Sequence, residues 1–330
     1  GEAGVLTRVL AAKYGAFLTF ARLEPGVVSA SGQPTIHDLM GLYRWREMGA
    51  GTRVFGVVGW PVAHSYGPHA HNAALTAEQI DGIYVPMPVG PTYEDFVALM
   101  DYLTGHPELD VHGLSVTLPH KEHALRWLTA NGFACADSGR RAGAVNTLTH
   151  EGAGEWAGDN TDIEGVVGAL ASAYASSATG LRGLRVAILG AGGVARAAVT
   201  GLVECGAKVT IFNRTAERAR TLAHEMRCDW RLWQQRPGKS VDIIVNCTSV
   251  GMLPKAGESP LPAGALDRDM IVVDTVYNPA QTHLLREAAR HGCKQVSGME
   301  IFIRQAAAQF ARWHGRPAPL EAMRAALWDG

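Results

Sequence analysis

Four polar clusters break the N-terminal half of the chain where apolar runs end. They are Gly59-Trp-Pro-Val-Ala-His64-Ser65-Tyr66-Gly67-Pro68, Leu114-Ser115-Val-Thr117-Leu-Pro119-His120-Lys121-Glu122, Ala144-Val-Asn146-Thr147 and Gly158-Asp-Asn-Thr161-Asp162. In open α/β sheets, ligands collect beyond the carboxyl ends of strands. A lysine and a carboxylate placed there, such as Lys121 and Asp162, suit proton transfer at a hydroxyl or carbonyl. Taken singly, Lys121 also reads as a surface lysine beside Glu122, and Asp162 as the cap of a helix over Ile163–Ala175.

A second chemistry is written in Gly190-Ala191-Gly192-Gly193-Val194-Ala195-Arg196, which follows the apolar run Arg185-Val-Ala-Ile-Leu189. Glycines let the backbone approach a pyrophosphate, and the start of a helix offers unpaired N–H groups to it. A glycine pair alone is weak, but a strand before it and a helix after it supply the required context. The next strand, Lys208–Asn213, runs into Asn213-Arg214-Thr215-Ala-Glu-Arg218. It does not end in the acidic residue that would bind a ribose 2′-hydroxyl. Two guanidiniums match a 2′-phosphate, so NADP is expected over NAD. The alternative, plain surface arginines, puts positive charge at a helix start, where it is mildly unfavourable.

The elements that must position these groups follow from hydrophobic periodicity. Strands are expected at Val54–Gly59, Ile83–Pro88 and Gly113–Leu118, and helices near His69–Gln79 and over Thr92–Thr104. Such alternation argues for α/β with a largely parallel sheet. The small, polar stretch Ala171–Gly183 reads as a tether between two lobes. A second α/β run follows, with strands at Arg185–Leu189, Lys208–Asn213, Asp242–Asn246 and Met270–Asp274, and helices from Gly193 and over Glu217–Met226. Helices Gly298–Trp313 and Leu320–Leu327 close the chain. Ahead of all this, Ala16–Leu23 reads as a strand and Thr35–Met48 as a helix behind Pro34, too little to stand alone as a domain.

Composition removes several function classes. Thirty Lys+Arg against 31 Asp+Glu leave a formal charge of −1, with no basic excess to hold a nucleic-acid backbone. At 47% hydrophobic residues in 330, the chain can bury two cores, and no apolar run reaches the length of a membrane span. The start, Gly1-Glu2-Ala3-Gly4, reads neither as a signal peptide nor as an initiating methionine, which implies a processed or truncated chain. Five scattered cysteines without C-x-x-C point to a reduced, cytoplasmic setting. No H-E-x-x-H or Cys/His ligand set is visible among the histidines, so no metal is expected.

In order, the motifs are G-x-P-x-x-H-S, S-V-T-x-P-H-K-E, G-A-V-N-T, N-T-D, G-A-G-G, N-R-T, N-x-T-x-x-G-M at Asn246–Met252, D-x-V-Y-N-P at Asp274–Pro279, and the Gln305 helix. Over residues 53–330 this pattern resembles shikimate dehydrogenase. The resemblance implies reversible NADP-dependent reduction of 3-dehydroshikimate, with Lys121 as proton donor and acceptor and Asp162 as its orienting partner. It further implies that Ser65, Gly67, Thr117, Asn146, Tyr277 and Gln305 bind substrate. The cofactor would be held by Gly190, Ala191, Gly192, Gly193, Val194, Asn213, Arg214, Thr215, Arg218, Thr248, Thr275 and Gly298. The implied layout is two-lobed: an α/β substrate-binding domain over 53–161 and 299–330, and a Rossmann NADP-binding domain over 162–298, with the C-terminal helices returning to the substrate lobe. A metabolite sensor built on the same fold would have no need of both Lys121 and Asp162.

One departure bears on substrate choice. The family loop reads H-S-x-S-P, whereas this chain has His64-Ser65-Tyr66-Gly67-Pro68. Gly67 removes one hydroxyl from the carboxylate site and is expected to open space, which would admit the extra hydroxyl of quinate. Residues 1–50 resemble the C-terminal end of type I 3-dehydroquinate dehydratase through Gly4-Val-Leu-Thr7-Arg8 and Ser29-Ala-Ser-Gly32-Gln33. By that resemblance Arg8, Ser29 and Gln33 match ligands of dehydroquinate, and the chain reads as the C-terminal part of a larger bifunctional polypeptide. The segment lacks the family's Schiff-base lysine and a closed barrel. It is expected to be inactive as a dehydratase and dispensable for the rest.

Overall fold

A computed structural model describes residues 4–23, 32–62, 65–174, 178–237, 240–262 and 264–328. The N-terminal elements are α1 (Gly4–Val9), β1 (Arg53–Gly59), α2 (Gly67–Ala77), β2 (Gly82–Pro88), α3 (Tyr93–Gly105), β3 (Val111–Val116) and α4 (Lys121–Asn131). β4 (Ala134–Cys135), α5 (Asp137–Ala142), β5 (Thr147–Gly152) and β6 (Glu155–Asp159) follow. The remaining elements are α6 (Asp162–Ala173), β7 (Arg185–Leu189), α7 (Gly193–Glu204), β8 (Lys208–Asn213), α8 (Ala216–Met226), β9 (Asp229–Leu232), β10 (Ile243–Asn246) and β11 (Ile271–Asp274). The chain closes with α9 (His283–Arg290), β12 (Lys294–Val296), α10 (Gly298–His314) and α11 (Leu320–Trp328). Two compact units emerge: Gly1–Asn160 with Ala306–Gly330, and Thr161–Gln305.

The first unit is built on a six-stranded sheet in the order β2-β1-β3-β5-β6-β4. β1 runs parallel to β2 and β3, while β5 is antiparallel to both β3 and β6. The expected largely parallel sheet is thus mixed here. β5 and β6 are joined by a tight hairpin, in which Ala153 (φ 50°) and Gly154 (φ 80°) take the left-handed backbone that two-residue hairpins require. β1 is buried along nearly its whole length, as fits an apolar strand covered on both faces. α3 starts on a capping box in which Thr92 Oγ1 accepts from Asp95 N and Asp95 Oδ2 accepts from Thr92 N, each at 3.1 Å.

The N-terminal segment corrects two expectations. Residues 16–23 form no strand; one parallel bridge joins Arg22 to Thr35, and Phe17 is 97% exposed. The expected helix over 35–48 breaks into a π-helical turn, Asp38–Leu42, and a short 3₁₀ turn, Trp45–Glu47, on either side of a left-handed Arg44. Nor is the segment a loose appendage. Val9, Leu10, Leu39 and Tyr43 are buried in the same core as Val54, Val58 and Phe96. Lys13 is buried as well, donating to Ala50 O at 2.9 Å and Thr52 O at 2.7 Å, with Asp110 Oδ2 3.5 Å away.

The second unit is a fully parallel sheet in the order β12-β11-β10-β7-β8-β9. Counted along the chain this is the doubly wound dinucleotide-binding order, with its switch point between β7 and β10. Of the expected tether over 171–183, residues 175–177 lie outside the described residues; on either side α6 runs to Ala173, residues 178–181 form a 3₁₀ turn, and Leu181 is fully buried. The division between units falls instead at Asn160–Thr161.

Candidate active site

In the first unit the functional loops leave the carboxyl ends of the adjacent parallel strands β1 and β3. Gly59 ends β1 and must be glycine, because a Cβ there would collide with Thr117 Cγ2. Thr117 N donates to Val58 O at 2.9 Å and Trp60 N to Leu118 O at 3.0 Å, which ties the two loops together. Lys121 opens α4, and its carbonyl accepts from Val145 N at 2.9 Å. The lysine loop is thereby tied to the Ala144–Thr147 segment. Asn146 is buried: its N–H donates to Asp159 O at 3.1 Å, and its Oδ1 accepts from Thr147 Oγ1 at 2.8 Å.

A buried polar chain supports this floor. Tyr84 Oη donates to Ser115 Oγ at 2.7 Å, Ser115 donates to Gln309 Oε1 at 2.8 Å, and Gln309 Nε2 donates to Asn146 O at 2.9 Å and Thr147 Oγ1 at 3.2 Å. His71 stacks on Tyr84 at 4.3 Å, and desolvation lowers its pKa to about 3. No sequence motif marked Tyr84, His71 or Gln309.

Gly67 departs from expectation in a definite way. It opens α2, and its N–H donates to Ser65 Oγ at 3.1 Å. The space above its Cα is not open: a Cβ would lie 2.9 Å from Tyr84 Cε1, 3.0 Å from Tyr84 Oη and 3.2 Å from Ser65 Oγ. Tyr84 fills the room that the missing side chain was expected to leave. His64 lies outside the described residues.

In the second unit, Asp162 is the first residue of α6, behind Thr161, which makes no side-chain cap. A carboxylate there is favoured by the helix dipole. Gln305 packs on the same helix, since a Cβ at Gly165 would come within 3.0 Å of its own Cβ. Tyr277 is 39% exposed, with its ring 6.0 Å from Phe302. Lys121 and Asp162 belong to different units.

The glycine turn of the second unit has the properties a dinucleotide needs. Gly190 takes φ +114°, and a Cβ there would meet Cys247 O at 2.9 Å. Cβ atoms at Gly192 and Gly193 would meet nothing within 4 Å, so this backbone stands bare at the start of α7. A cavity of about 360 Å³ adjoins it, lined by Gly190, Ala191, Gly192, Asn213, Arg214 and Thr248 among others. The fit to a dinucleotide is therefore good. Thr248 is fixed through Asn246 Oδ1, which accepts from its N at 3.1 Å and its Oγ1 at 2.7 Å. Asn246 in turn donates to buried Asp274, whose pKa desolvation raises to about 6.

Gly193, Val194, Thr215, Arg218, Thr275 and Gly298 do not line this cavity. Gly298 has a packing reason for its identity, since a Cβ would stand 2.6 Å from Val276 O. Trp233, Arg236 and Glu258 line the cavity without having been expected there. They follow β9, or lie further along the chain, and β9 is an exposed edge strand reading Asp-Trp-Arg-Leu, with no apolar period to reveal it.

Of the three dehydratase-like residues, Ser29 lies outside the described residues. Arg8 donates to Gly4 O at 2.8 Å and Gly32 O at 3.4 Å, which brings it beside Gln33. Gln33 lines a separate cavity of about 330 Å³ with Arg22, Asp38, Ser65 and His69.

A mixed α/β lobe with a lysine loop at its strand ends, joined to a parallel Rossmann unit with a bare glycine turn, defines a two-domain protein of the dinucleotide-binding class. Family models narrow this. The shikimate dehydrogenase substrate binding domain matches residues 57–148, shikimate / quinate 5-dehydrogenase matches 172–252, and the shikimate 5′-dehydrogenase C-terminal domain matches 298–327. The model for type I 3-dehydroquinase matches residues 1–50. A shikimate dehydrogenase (NADP⁺) of Methanothermobacter thermautotrophicus is 40% identical over 84% of this chain and 96% of its own length. The chloroplastic bifunctional 3-dehydroquinate dehydratase/shikimate dehydrogenase of Arabidopsis thaliana is 39% identical over 97% of this chain, which spans only 54% of that protein. A crystal structure of Thermus thermophilus shikimate 5-dehydrogenase with NADP(H) and shikimate superposes with a TM-score of 0.74 at 32% identity, over 84% of this chain and 99% of that one. The chain belongs to the shikimate dehydrogenase family.

Proposed function

We propose that the chain interconverts 3-dehydroshikimate and shikimate with NADP(H). The observation that carries this is a glycine turn whose neighbouring strand ends in Asn213-Arg214, in one chain with the Lys121 loop. The nicotinamide, when bound, supplies or accepts the hydride at the carbinol carbon. Lys121 Nζ gives its proton to the ketone oxygen during reduction and takes it back during oxidation. Its charge also stabilises the oxyanion that develops. Asp162 orients the lysine and accepts from a substrate hydroxyl. Ser65, Thr117, Asn146, Tyr277 and Gln305 hold the ring hydroxyls and the carboxylate. Gly190, Gly192, Asn213, Arg214 and Thr248 hold the cofactor. We favour shikimate over quinate because Tyr84 occupies the space at Gly67.

Residues 1–50 carry no dehydratase turnover in this reading. Their one lysine, Lys13, is buried and committed to two backbone carbonyls, so it does not serve as a Schiff-base amine. The test is the absorbance of reduced nicotinamide formed with shikimate and with quinate, each with both cofactors. Turnover fastest with shikimate and NADP supports the reading. No turnover with any pair, or a clear preference for NAD or quinate, overturns it.

A further inference from the structure

The cavity beside the glycine turn holds a second guanidinium. β8 and β9 are parallel neighbours with Asn213 paired to Leu232, so the turn Trp233–Gln235 and Arg236 leave the sheet next to Asn213-Arg214. Arg236 lies over the Trp233 ring, its Cζ 4.2 Å from the centroid, and its Nη1 donates to Trp233 O at 2.8 Å. Its Nε is closed off from solvent and has no hydrogen-bond partner. A buried guanidinium N–H without an acceptor is costly. Desolvation pulls the pKa of this arginine below its ordinary value. The acidic residue on the same wall, Glu258, has Lys255 Nζ 3.6 Å away to offset its charge.

We propose that Arg236 is the partner of Arg214 in binding the 2′-phosphate of the cofactor's adenosine. The assignment rests on the NADP reading above. Its physical basis is preorganisation: the Trp233 ring and carbonyl hold the planar fork in place before the ligand arrives, so little side-chain entropy is lost on binding. A phosphate monoester has the charge and the acceptor oxygens to take a bond from Nη2 of this fork, which neither a ribose hydroxyl nor an adenine edge can match.

Calorimetric titration with adenosine 2′,5′-bisphosphate and with adenosine 5′-phosphate tests this without turnover. The parent protein should prefer the bisphosphate. Arg236→Gln should weaken the bisphosphate about 10- to 100-fold, the worth of a charge-assisted bond, and the monophosphate less than about twofold. Arg236→Lys should recover part of the loss, and it serves as the test variant if Arg236→Gln does not fold, judged by its thermal melt. Equal weakening of both nucleotides, or of neither, overturns the assignment while leaving the NADP reading intact. No preference for the bisphosphate in the parent overturns both.

Discussion

Replacing Gly67 by serine restores the hydroxyl that the family loop carries, and intuition says that substrate should bind more tightly. The structure predicts the reverse. A new Cβ would sit 2.9 Å from Tyr84 Cε1, about 0.6 Å inside the normal carbon–carbon contact of roughly 3.5 Å. Tyr84 has little freedom to retreat: it is 1% exposed, bonded to Ser115 and stacked on His71. Overpacking of this kind costs about 1–3 kcal/mol. At roughly 3 °C per kcal/mol for a unit of this size, the thermal midpoint of Gly67→Ser should fall by about 3–9 °C. Ser65 shares the contact, so the KM for shikimate should rise severalfold. Adding Tyr84→Leu should return part of the lost stability, a non-additive result expected of touching residues. The measurements are circular-dichroism melts and steady-state kinetics on the two single variants and the double. An unchanged midpoint with a lower KM would show that Tyr84 does not hold this position.

Lys121→Ala should lower turnover about 10²- to 10⁴-fold while shikimate still binds by calorimetry; a variant keeping more than half the parent rate would remove Lys121 from the chemistry. Lys13→Met strands two carbonyls and should cost about 2–4 kcal/mol in urea unfolding, and deletion of residues 1–50 should yield insoluble or molten protein; a parent-like melt for either would refute the integrated core. His71 has its pKa lowered to about 3, so the folded state refuses a proton that the unfolded chain accepts. Its stabilisation is present above about pH 6.5 and is lost as pH falls, by roughly 1.4 kcal/mol per unit, or about 2 kcal/mol by pH 5. Asp274, raised to about 6, pulls the opposite way between about pH 6 and 4 in any variant that keeps it. His71→Gln should therefore flatten the acid side of the stability curve relative to the parent; parallel curves in urea titrations would refute this.

Where a signal is local, it survived into the structure. β7 and the start of α7 fall where the apolar run and the glycines put them, because a buried parallel strand and a glycine turn each leave their mark in a few consecutive residues. The loops bearing Ser65, Thr117, Lys121 and Asn146 were likewise legible, as polar breaks after apolar runs. What escaped depends on partners distant in the chain. Gln309 joins Ser115 to Asn146 from nearly two hundred positions away, and nothing near it announces that task. Arg236 follows a strand with no buried face. The β5–β6 hairpin hid behind a turn of Ala153-Gly154, and an alanine in the left-handed region is rare enough to escape the usual reading. The first fifty residues misled for another reason: their buried side chains are few, and their inward direction is set by a core supplied by other elements.

That shared core has a consequence for genetics. Leu39 and Lys13 lie in the stretch that matches the dehydratase family, yet they are buried against strands and loops of the dehydrogenase family's lobe. An allele altering either would be mapped to the stretch that matches one family and felt in the lobe that matches the other. In a host lacking shikimate dehydrogenase, such an allele should fail to complement even though every residue of the dehydrogenase motif is intact. The boundary between the two family matches is thus not, in this chain, a boundary that separates two phenotypes.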